Sequence, residues 1–451
     1  MSAEKSMTVG APWKHILMFS LPVFFGLVLQ QLYNTVDTII VGNFAGEESL
    51  AAVGTTATFT FLFIAIATGY SSGNGVVVAQ AYGAEDEKLV RENASTGILL
   101  LLGMGLAATV VGILASRFAY VNIISVPPEI LELTLEYFNI CMLGMVFQFG
   151  YNIFSSILRA VGDSAATLYF LLIASILNIL LDLLFVAGFK WGVAGAAWAT
   201  NISQGVSFLC AYYYMAKKYS VFRFKLKDFT WNSQLAWQTI KVGSPIAAQL
   251  VIVALGLSMI QRAVNSFGKS MTASFTVGQR MELFMNMPFH AFQTTLATYA
   301  GQNIGAGKMK RVKLGTTQAL MMSLGSTLVL SCIVWFSAQK IIELFGLSDQ
   351  AAFYCIDHIR AIAFVNILLS LYVPLFGVFQ GANHCGLPMI TATVALGTRV
   401  IVTYLFKDTQ FFGYSIIWWN GLFGFTLALI VTWWFYLSGR WQKNAVISAD
   451  K

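Results

Sequence analysis

Charged residues are scarce in this sequence. Only 10% of its 451 residues are Asp, Glu, Lys or Arg, while 57% are hydrophobic, whereas about a quarter of the residues in soluble proteins are charged. So long an apolar chain does not fold around one oversized water-soluble core. The composition therefore excludes an ordinary soluble protein and predicts an integral membrane protein. In a membrane protein, the positive residues behind the net charge of +7 mark the connections that face the cytoplasm. We therefore expect no nucleic-acid partner.

Several motifs that carry chemistry are also missing. The five cysteines lie in apolar runs without a CxxC pair, which argues against a disulfide framework or a thiolate metal site. The sequence contains no phosphate loop, nucleophile elbow or HExxH motif. ATP-driven transport and the common hydrolase chemistries therefore have no support in this chain. We expect no cofactor, and an intramembrane enzyme is a remote alternative.

Long apolar segments, by contrast, are abundant. A helix needs about 20 mostly apolar residues to cross a bilayer, and this rule predicts an all-α membrane protein with twelve transmembrane helices. The predicted spans are 14–41, 50–79, 93–117, 129–158, 163–187, 191–216, 236–262, 271–302, 312–338, 350–380, 385–406 and 411–438. We expect an N-lobe over 1–216, a cytoplasmic linker over 217–235 and a C-lobe over 236–451.

The two predicted lobes resemble each other in sequence. QAYGAEDEKLV at Gln80 matches QNIGAGKMKRV at Gln302, and FSLPV around Pro22 resembles VGSPI around Pro245. A third pair, AVG at 52–54 and TVG at 276–278, lies at nearly the same offset. Because six spans return the chain to the side where it started, we expect parallel repeats, with a binding site between or within them.

The distribution of Lys and Arg predicts the orientation in the membrane. With both termini in the cytoplasm, eighteen of these residues fall on the inside and six on the outside. This asymmetry agrees with the positive-inside rule. We therefore expect a multi-pass protein of the cytoplasmic (inner) membrane, with both termini and the linker in the cytoplasm.

The first predicted span carries an unusual polar stripe. Gln30, Tyr33, Asn34 and Asp37 recur at three- and four-residue spacing, so they share one face of a helix. That face must contact protein or water rather than lipid, and Tyr33 is a candidate for the wall of a substrate cavity. Pro22, earlier in the same span, is expected to kink the helix or let it bend.

A second acid lies in the fifth span. Asp182 follows Asn178 by one helical turn, and Thr200 lies in the sixth span, while Tyr137 and Asn152 lie in the fourth. Two acids among many neutral oxygens suit a small hard cation such as Na⁺, or a proton shared between carboxylates. The alternative is that Asp182 only bonds to a neighbouring helix.

The second half does not repeat this acidic pattern. At an offset of 221 residues, Arg399 occupies the position of Asn178, and Thr403 occupies that of Asp182. A cation or proton site is therefore expected in the first half only.

The eighth span holds further candidates. Glu282 follows Arg280, so neutralisation by that neighbour is one explanation for its presence. Met285, Met287 and Phe289 could form an adaptable apolar surface for varied substrates, although residues of this kind more often fill a core. We assign Glu282 and these three residues, with Tyr33, to a candidate substrate cavity.

Several sequence motifs, in the order in which they follow one another along the chain, resemble those of one family of membrane transporters. They are LPVFFGLVLQQLYNTVDTIIVGNFAG, AQAYGAEDEK, RAVGDS, LNILLDLLFV followed by GVAGAAWAT, and GQNIGAG. Together they extend from about residue 21 to residue 388 and are similar to the multidrug and toxic compound extrusion (MATE) family. The pattern is that of its DinF-like bacterial and archaeal branch. The last two spans match less closely.

The resemblance implies two six-helix lobes around a central cavity. It also implies export of amphipathic, often cationic, compounds in exchange for inward Na⁺ or H⁺. The coupling residues of the family map onto Asp37, Asn178, Asp182 and Thr200. Supporting polar positions map onto Gln30, Asn34, Tyr137 and Asn152. The seventh span and the inner part of the tenth lack the acids that some relatives use there, which puts a cation site in the second lobe in doubt.

The hypothesis from the sequence is thus a secondary antiporter working by alternating access. Its expected partners are small amphipathic organic cations and membrane lipid, and we expect a monomer. The main alternative is a flippase for lipid-linked oligosaccharides, for which Arg280, Arg360 and Arg399 could meet a pyrophosphate. A channel is a further alternative.

Overall fold

The computed structural model describes residues 6–345, 347–410 and 412–443, which are helical throughout their length apart from short connections and contain no β-strand. The helices are α1 (Pro12–Phe44), α2 (Glu47–Gly83), α3 (Glu87–Phe118), α4 (Pro128–Leu143), α5 (Met145–Ala160), α6 (Ser164–Asp182), α7 (Gly192–Lys218), α8 (Ser233–Asn265), α9 (Lys269–Gly305), α10 (Met309–Leu344), α11 (Asp349–Gly381), α12 (Gly386–Phe406) and α13 (Ser415–Leu437). Two π-helical turns, Ala119–Ile123 and Leu183–Gly188, continue α3 and α6.

The helices account for the twelve predicted spans. In the described part of the chain, nine helices are long and apolar enough to cross a membrane, and α4 with α5 forms a tenth span bent by 44°. The remaining two, α7 and α9, are 27 and 37 residues long but more polar. Their polar side chains include Asn201 and Asn303, which the fold buries, as expected for polar groups at membrane depth. The prediction of an all-α protein with twelve spans is confirmed.

The described chain divides into two compact units. Unit 1 contains Phe25–Ala247, and unit 2 contains Met7–Phe24 with the residues from Ala248 onward. The changes of unit therefore fall inside α1 and inside α8, shortly after Pro22 and Pro245. The sequence predicted a boundary between the lobes in the linker. The hydrophobic pattern of a sequence shows where a helix lies but not what each part of that helix packs against.

Small residues explain why α8 begins in unit 1. A Cβ atom added to Gly73 would lie 2.7 Å from the backbone nitrogen of Gly243, and one added to Gly69 would lie 2.6 Å from that of Ala247. Spacing small residues by four along both helices lets the two backbones touch. Neither glycine of α2 tolerates a larger side chain without a shift of α8.

The predicted linker is a packed part of unit 1 rather than a free tether. Arg91 of α3 donates to the backbone carbonyls of Val221 and Arg223 at 3.0 and 3.2 Å, and to the carboxylate of Asp228 at 2.9 Å. Phe222 is buried in the hydrophobic core of the same unit. These contacts fix the path of the chain into α8.

The beginning of α1 is held in unit 2 in a comparable way. Ile16 and Phe19 pack in a buried cluster that also contains Leu296 and Tyr299 of α9. Arg311 of α10 donates four hydrogen bonds of 2.7–3.3 Å to backbone carbonyls in the segment 7–10. An arginine thus anchors the chain just before each of the two helices that change unit.

Candidate functional site

The two acids of the first half meet in unit 1. Asp37 lies in the second half of α1, and Asp182 is the last residue of α6 before the π-helical turn. Ile40 of α1 packs in one cluster with Ile179 of α6 and Val186 of the π-helical turn, which brings the helix segments that carry the two acids together. Their carboxyl groups are close enough to interact electrostatically.

This contact limits the charge that the pair can carry. Two carboxylates this close to each other repel unless one of them is protonated or a cation binds between them. Two negative charges 4 Å apart repel by about 4 kcal/mol at an effective dielectric constant near 20. Asp182 is fully buried, so water does not screen it. The pair therefore requires either a shared proton or a cation.

Neutral oxygens complete the surroundings of the pair. Asn178 donates its side-chain amide to the hydroxyl of Thr200 at 3.5 Å, which leaves the amide oxygen available. Among the described residues, no donor reaches that oxygen, either carboxyl oxygen of Asp182, or one oxygen of Asp37, although all are buried. Four buried acceptors without a donor fit a proton or a small hard cation.

The composition of the site also limits which cation fits. Within the described ranges, no group of three or more His, Cys, Asp or Glu side chains comes together as a metal site. A Na⁺ ion here would rest on Asp37 and Asp182 with neutral oxygens from Asn178 and Thr200. Oxygen ligands of this kind suit an alkali or other hard cation and do not favour a transition metal.

The supporting residues predicted from the sequence divide into two groups. Tyr33 and Tyr137 lie close enough to Asp37 to interact with it electrostatically, and Tyr137 also hydrogen-bonds to a cysteine one turn along its own helix. Gln30 and Asn34 lie on the same helix but are exposed in the structure.

Asn152, predicted as part of the same network, instead bonds within its own helix. Its side-chain amide donates to the backbone carbonyl of Gln148 at 2.8 Å. The structure therefore places Tyr33 and Tyr137 beside the acids and gives Asn152 a local partner.

A cavity of about 280 Å³ in unit 1 adjoins this cluster. Tyr33, Thr200 and Gln204 line both this cavity and a much smaller one that reaches Asn178. These three side chains therefore form the wall that the larger cavity shares with the smaller cavity at Asn178. Gln204 was not singled out from the sequence, although its position one turn after Thr200 places it on the same helical face.

A break in the fourth span shapes the wall of this cavity. At Gly144, between α4 and α5, the backbone N–H bonds to the carbonyl of Cys141 at 3.1 Å. The carbonyl of Ile140 instead accepts the side-chain amide of Asn201 from α7, and the carbonyl of Met142 accepts a hydroxyl from α3 at 2.6 Å. Side chains thus replace the hydrogen bonds lost at the bend, as membrane-embedded backbone requires.

Unit 2 contains a separate cavity of about 150 Å³. Glu282 and Phe289 line it together with Arg399, whereas Met285 and Met287 do not line it. The two methionines are buried, and Met285 packs against α11, which agrees with the core alternative for this stretch. The predicted substrate residues are therefore split, with Tyr33 in unit 1 and Glu282 and Phe289 in unit 2.

The charged neighbour of Glu282 also differs from the one that its sequence position suggested. Arg280 is exposed, and Glu282 interacts electrostatically with Arg399 of α12 instead. The reason is that residues two apart on a helix point in different directions. Neutralisation by Arg280, offered above as one explanation for Glu282, is thus wrong.

Unit 1 holds a further buried acid that sequence reasoning did not single out. Asp163, before α6, accepts hydrogen bonds from Tyr214 at 3.0 Å, Lys218 at 2.9 Å and Tyr219 at 2.8 Å, all on the same oxygen. It is 1% exposed. Its fully bonded surroundings contrast with those of Asp182 and indicate a structural role, in which it ties the start of α6 to the end of α7.

Twelve membrane-spanning helices with a buried acid pair beside a cavity are typical of a membrane transport protein. Within that class, the MatE family profile matches residues 22–184 and again residues 245–405. The chain belongs to the MatE family. The double match also confirms the internal repeat, because the same profile recognises each half in turn.

Curated relatives and a solved structure agree with this assignment. The probable multidrug resistance protein YpnP of Bacillus subtilis (strain 168) is 28% identical over 83% of this chain and 84% of its own length. The multidrug export protein MepA of Staphylococcus aureus (strain bovine RF122 / ET3-1) is 23% identical over 93% and 92%. A crystal structure of a MATE protein in complex with MaL6 shares the fold, with a TM-score of 0.92, 24% identity and coverage of 98% and 100%. This chain is therefore a multi-span membrane transporter and not an enzyme.

Proposed function

We propose that this protein is a secondary antiporter that exports amphipathic organic cations in exchange for inward H⁺ or Na⁺. The observation that carries the proposal is the close approach of Asp37 and Asp182, because both oxygens of Asp182 and one of Asp37 are buried without a donor among the described residues. A pair that requires a proton or a cation changes its charge whenever it exchanges that ion. Because it is buried next to a cavity, this change alters the energy of the surrounding helices.

In the proposed cycle, Asp37 and Asp182 take up the ion while the transporter is open to the outside. Neutralising the pair removes the negative charge that would otherwise need solvation by water. This lets α1 bend near Pro22. The unit boundary within α1 lies shortly after this proline, which supports a change of direction at that point. The drug is then released to the outside. After that the transporter switches to the state that is open to the inside, where the ion leaves.

The proposed orientation has both termini and the linker in the cytoplasm, in the inner membrane. It is supported by the predominance of Lys and Arg in the connections on that side. Substrate chemistry is supported by the relatives named as multidrug proteins and by the largely apolar walls of both cavities. We propose a monomer as the working unit.

The flippase alternative is less well supported. Arg360 stacks on Trp335, with its guanidinium carbon 5.5 Å from the ring centre, and Arg280 is exposed. Arg399 lines the cavity of unit 2, and neither Arg280 nor Arg360 lines that cavity with it. They therefore do not form the cationic cluster that a pyrophosphate would need.

The central test measures ethidium efflux from proteoliposomes under an imposed pH or Na⁺ gradient. Asp37→Asn and Asp182→Asn are expected to lose gradient-driven efflux, because neither amide exchanges a proton or neutralises a cation. Glu132→Gln is the matched control, since its carboxylate is 76% exposed and pairs with Arg117 at 3.4 Å. Wild-type efflux in both Asn variants would refute the coupling role.

Exchange measurements separate coupling from binding and folding. Without any gradient, labelled substrate should still exchange across the membrane in the Asn variants, because exchange needs alternating access but no net ion movement. Loss of exchange as well as efflux would indicate a damaged transporter. Imposing the two gradients one at a time identifies the coupling ion, since only the true one drives efflux alone.

A further inference from the structure

The cavity of unit 2 contains a buried cation that has few protein partners. Arg399 is only 9% exposed, and its Nε donates to the side-chain oxygen of Asn420 at 2.7 Å. Its guanidinium carbon lies 4.8 Å from the centre of the Phe425 ring. Within the described residues, Asn420 is the only hydrogen-bond acceptor for Arg399, so the terminal nitrogens remain available. A buried charge in a membrane protein usually has a partner or a task.

The side chain of Arg399 is also held in place. Asn420 donates to the hydroxyl of Thr403 at 3.0 Å and to a backbone carbonyl at 2.8 Å, which fixes the amide that orients the guanidinium. Gly424 leaves room for the arginine, because a Cβ there would lie 2.6 Å from its Cγ. A charge fixed in this way is prepared to bind a planar anion such as a carboxylate.

The same cavity contains a fixed acid. Glu282 and Arg399 both line it and interact electrostatically, yet no ion pair or hydrogen bond joins them in the part of the chain that the structure describes. Aromatic side chains, among them Phe289, Tyr372 and Phe425, form much of the remaining wall. One small cavity thus presents a positive group, a negative group and ring surfaces.

This combination selects against ligands with a single charge. A simple cation would be attracted by Glu282 and repelled by Arg399, and a simple anion would meet the opposite balance. A zwitterion matches both charges and removes the cost of leaving either one unpaired. A cavity of about 150 Å³ is of the size that holds a single benzene ring.

We propose that this cavity is a subsite for zwitterionic aromatic compounds, which place a carboxylate on Arg399 and an ammonium group on Glu282. The inference rests on the proposed function only in treating the bound compound as cargo. It narrows the substrate class from amphipathic cations to compounds that also carry an anionic group on or next to a ring.

Three probes of matched size test the proposal by direct binding to the purified protein in nanodiscs. They are para-aminomethylbenzoate, which is zwitterionic, its methyl ester, which is only cationic, and para-toluate, which is only anionic. Saturation-transfer NMR titrations measure the affinities, which are expected in the millimolar range for molecules this small. The zwitterion should bind roughly tenfold more tightly than either analogue, as expected for one further charge-assisted contact.

Two variants assign the two charges. In Arg399→Gln the zwitterion should lose its advantage over the methyl ester, and in Glu282→Gln it should lose its advantage over para-toluate. Arg360→Gln is the matched control, because that side chain stacks on Trp335 and does not line the cavity. If Arg399→Gln does not fold, Glu282→Gln still tests the negative charge, and Arg399→Lys, which keeps the positive charge, tests whether the planar guanidinium is needed for the preference.

Some results would overturn the proposal. These are equal affinities of the three probes for the wild type, no saturable binding of the zwitterion, or unchanged preferences in both variants. The outcome is independent of ion coupling, since Asp37→Asn should keep the preference for the zwitterion while losing gradient-driven efflux. Efflux of ethidium without any zwitterion preference would refute this subsite alone.

Discussion

The bend at Gly144 permits a quantitative prediction. Gly144 has φ of −82°, which alanine adopts freely, so only contacts oppose a Gly144→Ala substitution. An added Cβ would lie 1.9 Å from Oδ1 of Asn201 and 2.4 Å from its Cγ. The amide must therefore move, and its hydrogen bond to the carbonyl of Ile140 must break.

The size of the effect follows from that hydrogen bond. A buried carbonyl left without a donor costs about 1–3 kcal/mol, so Gly144→Ala and Asn201→Ala should each destabilise unit 1 by about this amount. The two changes should not add. With Asn201 shortened, the new methyl group has room, and alanine is a better helix former than glycine by about 1 kcal/mol. The double variant should therefore be no less stable than Asn201→Ala alone.

Thermal denaturation of the detergent-solubilised protein, followed by fluorescence-detected size exclusion at one fixed heating schedule, measures these differences. Each kcal/mol corresponds to roughly 2–4 °C for a domain of about this size, so each single variant should lose several degrees. The control is Gly54→Ala in α2, since no atom lies within 4 Å of a Cβ added there. Additive losses in the double variant would refute the reasoning.

Three further predictions concern other parts of the fold. Gly278→Ala should destabilise unit 2, because its Cβ would lie 1.9 Å from Nδ1 of His358. The same substitution at the repeat counterpart Gly54 should leave the stability unchanged, and equal melting temperatures of the two variants would contradict this. Arg311→Gln should expose the segment 7–10 to protease, because the bonds to its carbonyls are lost, and an unchanged digestion pattern would count against the anchor. Asp163→Asn should cost about 1–3 kcal/mol in the same thermal assay, because three donors share its buried oxygen, yet transport per folded molecule should persist.

The sequence predicted much of the acid site because its signal is local. A polar stripe within an apolar span has few explanations, and Asn178 and Asp182 follow one another on the same helical face. The contact between Asp37 and Asp182 was foreseeable as a hypothesis, since both are rare acids in the same half. Which neutral residues join them depended on packing, and Asn152 turned out to bond within its own helix.

Other features had no local signal. The bend in the fourth span arises from a glycine in an apolar run, and its cause lies in Asn201, some sixty residues further along the chain. Glu282 interacts with Arg399, which is far away in sequence, whereas Arg280 is close in sequence and points elsewhere. Long-range pairings of this kind follow from tertiary packing and not from residue spacing.

The division of α1 between two units has a consequence for biosynthesis. Ile16 and Phe19 are made well before Leu296 and Tyr299 of α9, with which they pack. At 5–20 residues per second, synthesis of the intervening chain takes about 15–60 s. Throughout that interval the beginning of α1 must rest against lipid or a chaperone, so it reaches its final neighbours only after most of the later helices have been made.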